Sequence, residues 1–219
     1  MTEHPILFSG EMIRAILDGR KAQTRRVLKC PHEIVGIGTQ DDWNSGRADD
    51  RMRRFEDWGP QRGYHLFNID SGSTIAMQCP HGRPGDCLWV REAWRTTGDG
   101  GRCNDAPPRD LQAHKIWYEA DGEAPASELV GKYRPPMFMP RWASRITLEI
   151  TGVRVERLQE ISDMDAFAEG IQTAVDHGLK SDGTARGTFA ALWNSINAAR
   201  GYGWDVNPWV WVIEFRRNT

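Results

Sequence analysis

The chain has 219 residues, a length typical of one large domain or of one domain with large insertions. Charged residues make up 26% of the sequence and hydrophobic residues 39%, as in soluble globular proteins. The formal net charge of −2 excludes a surface that attracts polyanions as a whole, so any contact with nucleic acid must come from a local basic patch.

The N-terminal segment predicts a strand, a helix and a second extended stretch. Residues 5–8 have the pattern of a short strand, and Ser9 can cap the helix that follows. Gly19 ends that helix, and residues 21–28 are predicted to be extended. The helix itself is predicted from apolar residues at helical spacing, namely Met12, Ile13, Ile16 and Leu17.

Two long segments are predicted to be insertions. Residues 36–75 are rich in Gly, Asp, Ser and Arg without periodicity, which predicts a long and comparatively mobile loop. A turn at residues 84–86 and a strand at 87–90 follow. Residues 95–143 form the second insertion, with one predicted strand at 115–119 between Gly- and Pro-rich loops.

The C-terminal part predicts two more long strands and two helices. Alternation from residue 146 to 155 predicts a long, half-buried β segment. Ser162 opens a capping box for a short helix that ends at Gly170, and a second helix is predicted at 186–198. Residues 209–215 predict the last strand. One core is expected to contain Leu7, Leu88, Ile146, Leu148 and Phe215.

The cellular compartment of the protein is predicted from its hydrophobic segments and its N-terminus. No apolar run approaches the ~20 residues of a membrane-spanning helix, and the N-terminus lacks the features of a signal peptide. We therefore expect a cytoplasmic protein with reduced thiols and no membrane partner.

Cys30, His32, Cys79 and His81 form two C-P-H triplets that could bind zinc tetrahedrally. C-x-H is not a standard spacing of zinc ligands. The alternative is that these four side chains are ordinary buried residues that bind no metal.

Four segments together resemble the ASCH family, a branch of the PUA-like superfamily. The residues from Ile16 onward match its motif L-x-G-x-K-x-x-T-x-R, and residues 84–88 match its Gly-Asp turn and strand. Residues 161–171 match its acidic helix, and residues 211–215 its closing strand. The resemblance implies a single α+β domain over residues 1–219. It would be a PUA-like mixed β-barrel with flanking helices, carrying the two insertions that the minimal family lacks. Residues 139–145 resemble phage and prophage members.

Some ASCH enzymes are amidohydrolases that remove the acetyl group from N4-acetylcytidine. The resemblance places their catalytic residues on Lys21, Thr24 and Glu169 and implies a modified nucleoside or RNA base as substrate, with no cofactor. Other members bind or cleave RNA. A non-catalytic module that reads RNA or modified nucleic acid, or an RNase, therefore remains the alternative, because function lives in sites rather than folds.

The three implied residues suit amide hydrolysis in more than one way. Thr24 offers a hydroxyl that needs a neighbouring base. Lys21 could be that base if burial lowers its pKa, or a cation that faces the oxyanion. Glu169 could orient Lys21, activate a water or protonate the leaving amine. Positions 21 and 24 point to opposite faces of a regular strand, so a shared pocket requires an irregular backbone there.

Four further residues are candidates for substrate binding. Arg25 and Arg26 could hold a phosphate or a base edge. Trp89 and Trp142 could stack on a pyrimidine, with packing in the core as the alternative.

Overall fold

The protein is described by a computed structural model, in which the strands between residues 54 and 76 are described by their backbone alone. The described residues are 1–29, 54–57, 64–67, 74–97, 102–112, 114–124, 130–172 and 182–218. Within these ranges the chain is a mixed α+β protein with ten strands and three α-helices. None of the described helices has the length and apolar character to cross a membrane.

The strands and helices are numbered in chain order. The helices are α1 (Gly10–Leu17), α2 (Asp163–Ala168) and α3 (Ala185–Asn197). The strands are β1 (Glu3–Leu7), β2 (Gln23–Val27), β3 (Arg54–Asp57), β4 (Tyr64–Phe67), β5 (Thr74–Met77), β6 (Cys87–Arg91), β7 (Trp94–Thr97), β8 (Lys115–Tyr118), β9 (Thr147–Arg157) and β10 (Trp209–Arg217).

The strands form one larger sheet and two smaller ones. The larger sheet has the order β1-β6-β9-β10-β2, so β1 and β2 are its edge strands. β3, β4 and β5 form an antiparallel sheet of three, and β7 pairs with β8. The described strands do not close into a barrel.

The chain divides into two compact units. The first contains residues 1–20, 85–150 and 216–219, and the second contains residues 21–84 and 151–215.

In the first unit, β1 runs parallel to β6, and β6 runs antiparallel to the start of β9. Leu88 and Leu148 face each other across that pairing and are fully buried. The expectation that Leu7 lies in the core is wrong, because Leu7 is 46% exposed while its neighbour Ile6 is 2% exposed. Side chains alternate along a strand, so an error of one residue exchanges the two faces.

In the second unit, β10 pairs antiparallel with β2 and packs under the helices. The helix predicted at 186–198 is confirmed as α3, and the strand predicted at 209–215 as β10. Both faces of β10 are buried, with Val210 and Val212 on one face and Trp211 and Ile213 on the other. The core of this unit contains Leu158, Ile161, Ala166, Ile171, Ala185, Phe189, Trp193, Val210 and Val212.

The two predicted insertions have more secondary structure than a loop. The prediction of an unstructured loop at 36–75 is wrong for its described part, because β3, β4 and the first half of β5 lie there. The mobility predicted for the rest of that segment falls outside the described residues. The predicted strand at 115–119 is confirmed as β8, which pairs with β7 in a register that joins Trp94 to Tyr118.

Candidate functional site

The beginning of β2 and the end of α2 meet in the second unit. The backbone N–H of Ala22 donates to the carbonyl of Ala168 at 2.8 Å. The carbonyl of Ala22 in turn accepts from the backbone N–H of Phe215 in β10, also at 2.8 Å. These two backbone hydrogen bonds of Ala22 place the preceding residue, which is Lys21, beside the C-terminus of α2.

Local sequence chemistry sets both ends of α2. The Ser162 hydroxyl accepts from the backbone N–H of Asp165 at 3.1 Å, and the Asp165 carboxylate accepts from the N–H of Ser162 at 3.2 Å. This is the predicted capping box. At the other end Glu169 is the C-cap, and Gly170 adopts a φ of 95°. The N–H of Ile171 then reaches back to a carbonyl within the helix, which completes a Schellman motif.

Lys21 and Glu169 form a buried ion pair. Nζ of Lys21 donates to Oε2 of Glu169 at 2.7 Å and to the Glu169 carbonyl oxygen, also at 2.7 Å. The Lys21 side chain has no solvent exposure, and that of Glu169 is 5% exposed. The Lys21 ammonium therefore donates hydrogen bonds to a carboxylate and to a backbone carbonyl. That carbonyl lies at the end of α2, where carbonyls have no hydrogen-bond partner within the helix.

Arg25 holds the other oxygen of the same carboxylate. Its Nη1 donates to Oε1 of Glu169 at 3.3 Å, and its Nη2 donates to Glu156 at 3.1 Å. Nη2 also lies 3.6 Å from Oδ2 of Asp165. The side chain of Arg25 has no solvent exposure, and three carboxylates engage it. Its predicted contact with a substrate phosphate or base stays a prediction, whereas its contact with Glu169 is direct.

Sequence reasoning missed the outer part of this network. Gln23 Nε2 donates to the carbonyl and the carboxylate of Asp165, at 2.7 and 3.1 Å. Arg154 forms ion pairs with Glu156, Asp165 and Glu214. One signal was available in the sequence for Gln23 and Arg25, because positions 23 and 25 share one face of β2. Arg154 and Glu156 are two residues apart on one strand face, whereas no local pattern connects them to Asp165 or Glu214.

Thr24 is buried within β2, where it pairs in register with Ile213 of β10. Because side chains alternate along a strand, Thr24 and Arg26 lie on the face opposite Gln23 and Arg25. In the described part of the chain, no hydrogen bond joins the Thr24 hydroxyl to Lys21 or Glu169. The structure therefore brings Lys21, Arg25 and Glu169 together directly, but not Thr24.

The two candidate stacking residues belong to the first unit. Trp89 is 8% exposed on β6, and the guanidinium of Arg91 lies 4.6 Å from its ring centroid. Trp142 packs edge-on against the fully buried Trp94, with the ring centroids 6.0 Å apart. Both rings take part in packing, and their role in substrate binding stays a prediction.

The zinc hypothesis rests partly on residues outside the described ranges, namely Cys30 and His32. Cys79 is partly buried, and burial raises the pKa of its thiol to about 11 although a backbone hydrogen bond at His81 opposes this. Among the described residues, no group of three or more His, Cys, Asp or Glu side chains is arranged to hold a metal ion.

Burial governs the electrostatics of the site. Burial lowers the pKa of the Lys21 ammonium below its ordinary value, although the Glu169 carboxylate opposes this shift. Burial also acts to raise the pKa of the Asp165 carboxyl, but hydrogen bonds from Ser162 and Gln23 outweigh it and hold that pKa below its usual range. The site thus pairs a buried lysine, whose pKa is lowered by desolvation, with fixed carboxylates.

The chain was compared with protein-family models, curated proteins and solved structures, and none of them matched. No protein-family model matches it, and neither a curated protein nor a solved structure resembles it closely enough to be counted as a match.

Proposed function

We propose that this protein is an amidohydrolase that removes the acyl group from an N4-acylated cytosine nucleoside, without a metal or cofactor. The observation that carries the proposal is the Lys21–Glu169 pair, joined at 2.7 Å with no exposure of the lysine side chain. A buried lysine whose pKa is lowered, beside a specific charge partner, is typical of a catalytic site. The resemblance of the flanking segments to the ASCH family supplies the substrate class.

In this reaction Lys21 acts as the base. The nucleophile loses its proton to the neutral amine of Lys21 as it attacks the acyl carbon. Glu169 accepts a hydrogen bond from Lys21 and relays the proton toward the departing exocyclic nitrogen of cytosine, which leaves as an amine. Arg25 is a positioning residue, since it holds Oε1 of Glu169 while Oε2 faces Lys21.

The nucleophile is either a water molecule, which releases the carboxylic acid directly, or the Thr24 hydroxyl, whose acyl ester is then hydrolysed by water to restore the threonine. Lys21 precedes β2, so the alternation within the strand does not fix the direction of its side chain. A role for the Thr24 hydroxyl therefore requires that the Lys21 amine turn from Glu169 toward Thr24 when substrate binds. Thr24→Val retains a branched side chain and removes the hydroxyl, and this variant distinguishes the two nucleophiles. An unchanged rate assigns the role to water.

The same resemblance implies a PUA-like barrel, which we propose for the complete fold. Support comes from the positions of the four matching segments. The first spans the end of α1 and the start of β2, the second leads into β6, the third contains α2, and the fourth lies in β10. An experimental structure tests this directly, because a closed barrel requires the edge strands β1 and β2 to pair, either with each other or through a further strand.

The activity is tested by incubating the purified protein with N4-acetylcytidine and following cytidine by chromatography. Lys21→Met should lower turnover by at least ~100-fold, the lower end for losing a positioned base. Lys29→Met makes the same chemical change at an exposed lysine and should leave turnover unchanged. Retention of activity in Lys21→Met would remove Lys21 from the reaction.

Absence of cytidine release from N4-acetylcytidine and from acetylated RNA with the unaltered protein would overturn the amidohydrolase proposal. Salt-dependent binding of RNA by the same preparation would then favour a binding module, because contacts with phosphates release counterions.

A further inference from the structure

Cys103 and His114 contact each other in the first unit. The Sγ atom of Cys103 lies 3.3 Å from Nε2 of His114, and both residues are half-buried. The chain turns back between them. The N–H of Ala106 donates to the Cys103 carbonyl at 3.1 Å, and the N–H of His114 donates to the Leu111 carbonyl at 3.0 Å. These turns place an imidazole nitrogen against the sulfur.

The segment that carries the thiol is held from the other side by Arg134. Its Nη2 donates to the carbonyls of Cys103 and Asn104, at 3.2 and 3.3 Å. Arg134 is 6% exposed, so its positive charge lies in a poorly solvated position beside Cys103. The Asn104 side chain accepts from the backbone N–H of Lys132 at 2.6 Å. The thiol is therefore fixed in place beside a base and close to a fixed cation.

The other described cysteines have different surroundings. Cys87 is 3% exposed on β6, which shields its sulfur from reagents in solution. Burial raises the pKa of the Cys79 thiol to about 11, so that little of it is thiolate at neutral pH. Among the described cysteines, Cys103 combines partial access to solvent with a contacting imidazole.

We propose that Cys103 is a nucleophilic thiol with His114 as its base, forming a covalent site for small, soft carbon electrophiles. In the reacting tautomer, His114 carries its proton on Nδ1 and takes the thiol proton on Nε2. The Sγ atom then forms a bond to the electrophilic carbon. With an alkyl halide, the carbon–halogen bond breaks and halide leaves. This site does not depend on the Lys21–Glu169 chemistry.

Limiting iodoacetamide at pH 7 tests the proposal on the intact protein. Cys103 lies alone on the tryptic peptide between Arg102 and Arg109, so mass spectrometry reads its alkylation separately. It should react at least ~10-fold faster than Cys79 and Cys87. His114→Gln keeps a polar side chain without a base, and it should slow Cys103 by at least ~10-fold, within the contribution of a positioned base.

His4→Gln is the matched control, because His4 contacts Asp86 rather than a cysteine. It should leave the rate at Cys103 unchanged. The protection of Cys87 in each variant reports whether the fold is retained. The proposal is overturned if Cys103 reacts no faster than Cys87, or if His114→Gln leaves its rate unchanged while Cys87 stays protected.

Discussion

Glu169→Gln removes the charge that faces the buried ammonium of Lys21 while keeping the size of the side chain. At an N···O distance of 2.7 Å and an effective dielectric constant of about 20, the lost attraction is about 6 kcal/mol before any relaxation. Breaking one side of a buried ion pair typically costs about 3–5 kcal/mol. We expect the free energy of unfolding at pH 7 to fall by that smaller amount.

The decrease in the free energy of unfolding is limited by the cost of deprotonating Lys21. Releasing its proton at pH 7, from an unfolded pKa of about 10.4, costs about 4.6 kcal/mol, and at pH 9 only about 2 kcal/mol. The pKa of Lys21 is already lowered by burial, and it falls further without the carboxylate. A folded pKa below the unfolded value gives stability that is present above pH ~10.4 and lost as the pH falls. The penalty of Glu169→Gln should therefore shrink from pH 7 to pH 9.

Urea unfolding at pH 7 and pH 9 measures this loss, provided that fluorescence and circular dichroism give the same midpoint. Glu149→Gln is the matched control, because its partner Arg216 has a side chain that is 69% exposed. That variant should lose at most ~1 kcal/mol. A loss below ~0.5 kcal/mol for Glu169→Gln, or a loss independent of pH, would refute the description of Lys21 as a desolvated cation held by Glu169.

Three further variants and one control probe the supports of the site and, separately, the packing of the first unit, and urea unfolding measures each. Ser162→Ala removes the N-cap of α2 and should cost about 1 kcal/mol, and no loss would show that the cap is dispensable. Gly131→Ala brings a Cβ into the hydroxyl of the buried Thr96 and should cost about 1–3 kcal/mol, whereas a neutral result would mean that the backbone relaxes freely. Arg25→Met leaves three carboxylates without their shared guanidinium and should cost at least ~3 kcal/mol. Arg20→Met, at an exposed ion pair, should cost at most ~1 kcal/mol, and equal losses in the two arginine variants would contradict the burial argument.

The elements of this protein could be predicted from local patterns because local chemistry sets their ends. Ser9 and Ser162 cap α1 and α2 as expected, and Gly19 and Gly170 leave those helices with positive φ. Hydrophobic alternation likewise predicted β9. These rules involve residues within a few positions of each other, so they do not depend on the rest of the fold.

Tertiary contacts determined which face of each strand is buried and which strands pair. Apolar residues at 6, 7 and 8 could fill either face of β1, and pairing with β6 determined that Ile6 faces inward and Leu7 outward. The strands β3 and β4 formed in a segment without apolar periodicity. Their backbone hydrogen bonds come from partner strands, which a local pattern does not specify.

The site shows the same division between local and long-range information. The sequence by itself determined a polar strand start at Lys21 and a helix that ends at Glu169. Family resemblance, rather than any local pattern, pointed to the contact between them. The tertiary structure decided that this contact exists at 2.7 Å across 148 positions of the chain, and that Arg25 shares the carboxylate. The physical reason is burial, since charges removed from water must find partners that only the folded chain supplies.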